Sequence, residues 1–170
     1  CGSRGLGFVY KRQGAVLSSE PDQEASQLKK RRDSRAGEGA ILALLNMDQI
    51  TIASWNRAAM GGGACIATAC DFRIGTPTSF MQYPEIDIGV NLMWKSLPLL
   101  INLIGPSRSK RLVIGGDRIT GEELHAWGIL DKLVTEEELD LEATLLAEKY
   151  ARKAPIAAQM IKQSTNNIVN

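Results

Sequence analysis

A chain of 170 residues with 44% hydrophobic content is long enough to bury a core of ordinary size. Its 20 basic and 19 acidic residues nearly cancel, so no global field draws it to nucleic acid or to an anionic membrane. The three cysteines, Cys1, Cys65 and Cys70, match neither a disulfide framework nor a metal-binding spacing, and a reducing compartment is expected.

Cys1 to Gly7 is glycine-rich and lacks an apolar core, unlike a secretory signal. Residues 18–37 are polar and charged with no stable apolar stripe, the pattern of a solvated loop or a loose helix. The run Lys29-Lys-Arg-Arg32 with Arg35 reads as a solvated face, and no aromatic residue interleaves with it as nucleic-acid binding would favour. Ile41 to Met47 reads as the end of an apolar helix, and Ile50 to Trp55 as a short buried strand rich in β-branched residues. Three glycines, Gly61, Gly62 and Gly63, follow Met60 and let the backbone approach a ligand closely. The small apolar residues from Ala64 to Ala69 suit a buried helix. Strand, glycine turn and helix start together aim backbone N–H groups at an anion.

Phe72 to Gly75 is predicted as a strand, with a turn around Pro77. Val90 to Ile104 is apolar, but Asn91, Lys95, Ser96, Pro98 and Asn102 interrupt it, and it falls short of the roughly 18 to 20 residues of a membrane span. A helix over Ser107 to Ile114 follows Gly105-Pro106 and stops at Gly115-Gly116. Thr120 and Glu123 form a capping box that opens a helix over Glu122 to Trp127. The lone histidine, His125, falls in that helix away from any nucleophile and is expected to be structural. Ile129 to Val134 is strand-like, and Thr135 with Glu138 forms a second capping box before a helix whose Leu139, Leu141, Leu145, Leu146 and Tyr150 cover an apolar face. Pro155 interrupts it and a last helix runs from Ile156 to Ile168. These elements predict an α/β fold, one domain over residues 1–170 with a polar segment at 18–37 and a helical part at 135–170.

Ala59-Met-Gly-Gly-Gly-Ala-Cys-Ile-Ala-Thr-Ala-Cys-Asp71 is similar to the A-M-G-G-G-C-E-L-A-L-A-C-D stretch of the crotonase superfamily, the enoyl-CoA hydratase/isomerase family. The likeness continues in order through Tyr83-Pro-Glu-Ile-Asp-Ile-Gly89, Ile104 to Lys110, Gly115 to Thr120 and Ala154-Pro155. Upstream, Gln13-Gly-Ala-Val-Leu17 resembles the family's first oxyanion motif, with Val16 in place of an aspartate. The resemblance implies a ββα spiral core with C-terminal helices, incomplete at both ends because the family's chains are longer. It implies an acyl-CoA thioester as substrate, no cofactor beyond the coenzyme A of that substrate, no metal, and a homotrimer or hexamer. It places the protein in the cytoplasm or an organelle matrix, mitochondrial or peroxisomal in a eukaryote. The backbone N–H groups of Ala15 and Gly62 would bind the thioester oxygen as negative charge develops on it. Gly14, Leu17, Gly61, Gly63, Cys65, Pro84, Met93 and Trp94 would line the substrate site.

Hydratases of the family use two glutamates, and here Cys65 stands where the first is found while Glu85 stands at the second. A thiol with an ordinary pKa of about 8.5 is mostly protonated at neutral pH, so Cys65 reads as a small core residue. One carboxylate suffices to carry a proton from the α-carbon to the γ-carbon of a 3-enoyl thioester, as in family isomerases that keep only the second glutamate. Isomerisation with Glu85 as acid/base is therefore expected ahead of hydration, decarboxylation or thioester hydrolysis. Met93-Trp-Lys-Ser-Leu97 replaces a glycine-rich turn of the hydratases, which opens a further alternative, an inactive member kept for binding or assembly. The basic residues 29–35 are an alternative contact for the CoA phosphates, and Asp71 with Arg73 resembles a structural pair of the family.

Overall fold

The computed structural model describes residues 7–10 and 27–169, with side chains over 35–168. The chain runs β1 (Gly7–Tyr10), α1 (Gln27–Leu45), β2 (Thr51–Trp55), β3 (Ala58–Met60), α2 (Gly62–Ala69), β4 (Phe72–Gly75) and β5 (Phe80–Gln82). A 3₁₀ helix (Pro84–Ile88) follows, then α3 (Ser96–Gly115), β6 (Ile119–Thr120), α4 (Gly121–Ala126), β7 (Lys132–Leu133), α5 (Leu139–Ala151) and α6 (Pro155–Val169). Two strand–strand–helix units are evident, β2-β3-α2 and β4-β5-α3. Their first strands join an all-parallel sheet in the order β1-β2-β4-β7. Their second strands pair in parallel in another sheet, β3-β5-β6, closed by antiparallel β6. This is the α/β spiral layout expected from the sequence.

β2 is buried at every position because both faces of a parallel strand are covered. Its alternation divides two cores. Ala53 and Trp55 face the larger one with Ala64, Leu100 and Leu112, while Ile52 faces Ile74, Ala143 and Ala147 beneath α5. Each fully buried leucine there contributes about 2 kcal/mol. Phe72 stacks on Tyr150 with ring centroids 4.5 Å apart, tying β4 to the end of α5.

Several boundaries differ from the sequence reading. The polar segment continues into a helix from Gln27, whose C-terminal end docks through Ile41, Leu44 and Leu45. The helix expected over Ser107 to Ile114 is present as the second limb of α3 and ends at Gly115 with Gly116 as its cap. Gly105 (φ 77°, ψ 167°) before Pro106 separates it from a first limb, starting at Ser96, that the sequence did not announce. The Thr120 capping box forms with both bonds in place. At the second box, Thr135 donates to the Glu138 carboxylate, yet Glu138 is itself the N-cap, so the bond closes a turn ahead of α5. The strand read over Ile129 to Val134 shrinks to Lys132–Leu133, because the Ile129 and Leu130 N–H groups donate to Leu124 O at the end of α4. His125 Nδ1 lies 3.0 Å from Leu130 O and supports the same bend.

Asp71 and Arg73 pair with different partners. Asp71 Oδ2 accepts from Thr51 N (2.7 Å), Thr51 Oγ1 (2.8 Å) and Lys162 Nζ (2.8 Å). The buried Arg73 guanidinium donates to Ile129 O and Cys70 O and lies 3.7 Å from Asp131. Lys162, buried on α6, was not singled out by the sequence.

Candidate functional site

The glycine turn lies between β3 and α2. Gly61 takes φ 47° and ψ −120°, a conformation side chains avoid, and its N–H donates to Gln82 O at 3.0 Å. Its carbonyl accepts from Cys65 N at 3.0 Å, which starts the helix. Gly62 and Gly63 open α2, where the first N–H groups have no acceptor within the helix.

β5 ends beside this turn and leads through Tyr83 into the 3₁₀ helix, of which Glu85 is the second residue. A Cβ on Gly61 would stand 3.1 Å from Glu85 Oε1, so the bare glycine is what lets the carboxylate lie against the turn. Glu85 Oε2 is buried and has no hydrogen-bond partner. The backbone is pinned by Val90 N donating to Glu85 O at 2.9 Å and by Gly89 at φ 67°. Burial pushes the Tyr83 hydroxyl well above the usual phenol range. Tyr83 thus stays protonated between the two positions where the hydratase pattern carries its glutamates.

Cys65 is 2% exposed and belongs to the larger core. Trp94 extends its indole over the turn. A Cβ on Gly62 would come within 2.5 Å of Cζ3 and 2.7 Å of Cη2, and a Cβ on Gly37 of α1 would overlap the other edge of the same ring. Met93 is exposed and Pro84 is half-buried at the head of the 3₁₀ helix. The structure therefore gathers Gly61, Gly62, Gly63, Glu85 and Trp94. Gly14, Ala15 and Leu17 lie outside the described residues, as do the side chains of Lys29 to Arg32. Gly37 was missed. Its only sequence signal is a glycine inside a helical stretch, which costs about 1 kcal/mol unless packing requires it.

An open cavity of ≈ 660 Å³ lies elsewhere, bordered by Leu99, Leu103, Tyr150, Ala157 and Ile161. Among its polar lining residues, Asp71 and Lys162 are bonded to each other at 2.8 Å.

The model of the enoyl-CoA hydratase/isomerase family matches residues 17–170. A crotonyl-CoA hydratase of Syntrophomonas wolfei is 29% identical over 144 residues, 85% of this chain and 55% of that protein. The peroxisomal Delta(3,5)-Delta(2,4)-dienoyl-CoA isomerase of Arabidopsis thaliana is 29% identical over 141 residues, 82% of this chain and 51% of its own length. The crystal structure of an enoyl-CoA hydratase from Bacillus anthracis superposes with a TM-score of 0.81 at 28% identity, covering 85% of this chain and 56% of that one. The chain spans about half the length of the curated relatives it matches. With the glycine turn, the facing glutamate and the two-sheet spiral in the order this family requires, the chain belongs to the enoyl-CoA hydratase/isomerase family.

Proposed function

We propose that the protein binds an acyl-CoA thioester and shifts a double bond from the 3- to the 2-position with Glu85 as the only proton carrier. The observation that carries this reading is the Glu85 carboxylate lying against Gly61 with Oε2 buried and unpartnered, while Cys65 takes the place of a second glutamate. Glu85 removes a proton from the α-carbon, and the released electron pair spreads over the thioester carbonyl and the adjacent double bond. The enolate oxygen is held by the N–H of Gly62 and, following the motif, of Ala15. Glu85 then returns the same proton at the γ-carbon, so no water or cofactor is consumed. An oxyanion donor of this kind is worth about 3 to 4 kcal/mol in enzymes where one has been removed.

The test is turnover of a 3-enoyl-CoA and of a 2-enoyl-CoA by the protein and by Glu85→Gln. The expected result is conversion of the 3-enoyl ester alone, reduced ~10²- to 10⁴-fold in the variant. Hydration of the 2-enoyl ester would overturn the single-glutamate reading and favour the hydratase alternative. No turnover with either ester would leave decarboxylation, thioester hydrolysis or an inactive binding role. The indole over Gly62 favours inactivity, as do Cys65 and Val16 where the family pattern carries carboxylates. We also propose the homotrimer or hexamer of the resemblance, supported by apolar side chains left exposed on α5 and α6.

A further inference from the structure

Trp94 (φ 59°) and Lys95 (φ 55°) are adjacent non-glycine residues in the left-handed region, the only such residues among those described. They lift the indole into a slot whose two walls are bare glycines, Gly37 on α1 and Gly62 at the head of α2. A methyl group on either wall would collide with the ring, so the indole can sit there only because both walls are glycine. Nε1 of that ring is buried with no hydrogen-bond partner, and so is Glu85 Oε2 beside Gly61. The filled slot therefore combines two unmatched buried polar atoms with two strained residues, a state that exchange for a polar ligand relieves. Met93 and Lys95 on either side are exposed, whereas Leu92 and Ser96 are buried and anchor the ends of the segment. Trp94 itself packs only at the margin of the larger core and is half-buried, so its departure leaves the buried residues Leu92 and Ser96 in place.

Under the acyl-CoA reading, on which this inference rests, the thioester oxygen must reach the N–H of Gly62, and the indole stands on that glycine. We infer that Trp94 is a plug that controls occupancy of the acyl site: its indole leaves the slot between Gly37 and Gly62 before an acyl thioester is seated. The apparent affinity for acyl-CoA is then the intrinsic affinity reduced by the fraction of molecules that are open.

The experiment is calorimetric titration of butyryl-CoA, a saturated ester that does not react, into the protein, Trp94→Gly and Gly37→Ala. Glycine adopts positive φ freely, so Trp94→Gly removes the plug and keeps the backbone. Gly37→Ala suits the helix and expels the ring while retaining the tryptophan. Both are expected to bind ~10-fold or more tightly than the parent, as for an open fraction of about one tenth. Tryptophan emission of the parent is expected to shift to the red on binding, a change absent in Trp94→Gly. Should Trp94→Gly fail to fold, Gly37→Ala carries the same test. Equal affinities with unchanged emission overturn the plug and leave the acyl-CoA reading standing. Weaker binding by Trp94→Gly also overturns it and makes the indole a wall that contacts the ligand. Binding by none of the three overturns the acyl-CoA reading, and the plug with it.

Discussion

Cys70 closes α2 next to the buried Arg73, and the influences on its thiol oppose one another. Burial pushes it up to about 11, against a weaker lowering by the Arg73 charge. An unperturbed thiol has a pKa of about 8.5 to 9.0, so between that range and about 11 the unfolded state has lost a proton that the folded state still holds. The contribution is complete below pH 9 and falls as the pH rises toward 11, by about 3 kcal/mol in all. Urea unfolding at about pH 8 and about pH 10.5 is expected to show this loss, and Cys70→Ala to remove most of it. An unchanged slope in the variant would assign alkaline destabilisation to other groups. Of the candidate site, Gly61, Gly62 and Glu85 were legible because each sits in a short stretch whose residue types set the local geometry. The meeting of Trp94 with Gly37 was not, since it joins distant segments and depends on a left-handed backbone that no local pattern announces.

At the scale of elements, legibility follows length. β2, α5 and α6 are long enough for burial or helical spacing to show, whereas β3, β5 and β6 have two or three residues and cannot display alternation. β7 shrank because α4 took two of the N–H groups its strand pattern had counted on. The capping box of α4 was readable from four residues, and it is exposed, so Thr120→Ala is expected to cost about 1 kcal/mol in thermal or urea unfolding. The anchor of α6 is a different case. Lys162 Nζ donates to Gln49 O at 2.7 Å and to Asp71, which in turn holds the start of β2 through Thr51. Lys162→Ala leaves the Asp71 carboxylate poorly matched and is expected to cost about 3 to 5 kcal/mol. Lys162→Met combined with Asp71→Asn is expected to cost markedly less. Equal losses in the two would show that packing of the lysine stem, rather than the ion pair, anchors the helix.

For the molecule as a whole, α6 is turned the unusual way round. Lys162, Gln163 and Asn166 face the rest of the chain through hydrogen bonds to Gln49 O, Asp48 Oδ1 and Leu45 O. Ile156, Met160, Ile161 and Ile168 are between 62% and 87% exposed, with Ile161 at the rim of the open cavity. A surface helix normally buries its apolar stripe, and an exposed one of this size marks a surface that another chain segment covers. A second copy of the chain is one such cover. The proposed assembly favours the second copy. For a chain of 18.5 kDa, sedimentation readily separates one copy from three. The parent is expected to sediment as an assembly, and Met160→Glu with Ile161→Glu as single chains at the same concentration with unchanged helix content. Both substitutions fall on outward positions, so a loss of assembly would not trace back to the Lys162 anchor. A parent that sediments as single chains would overturn the second copy as the cover of this face.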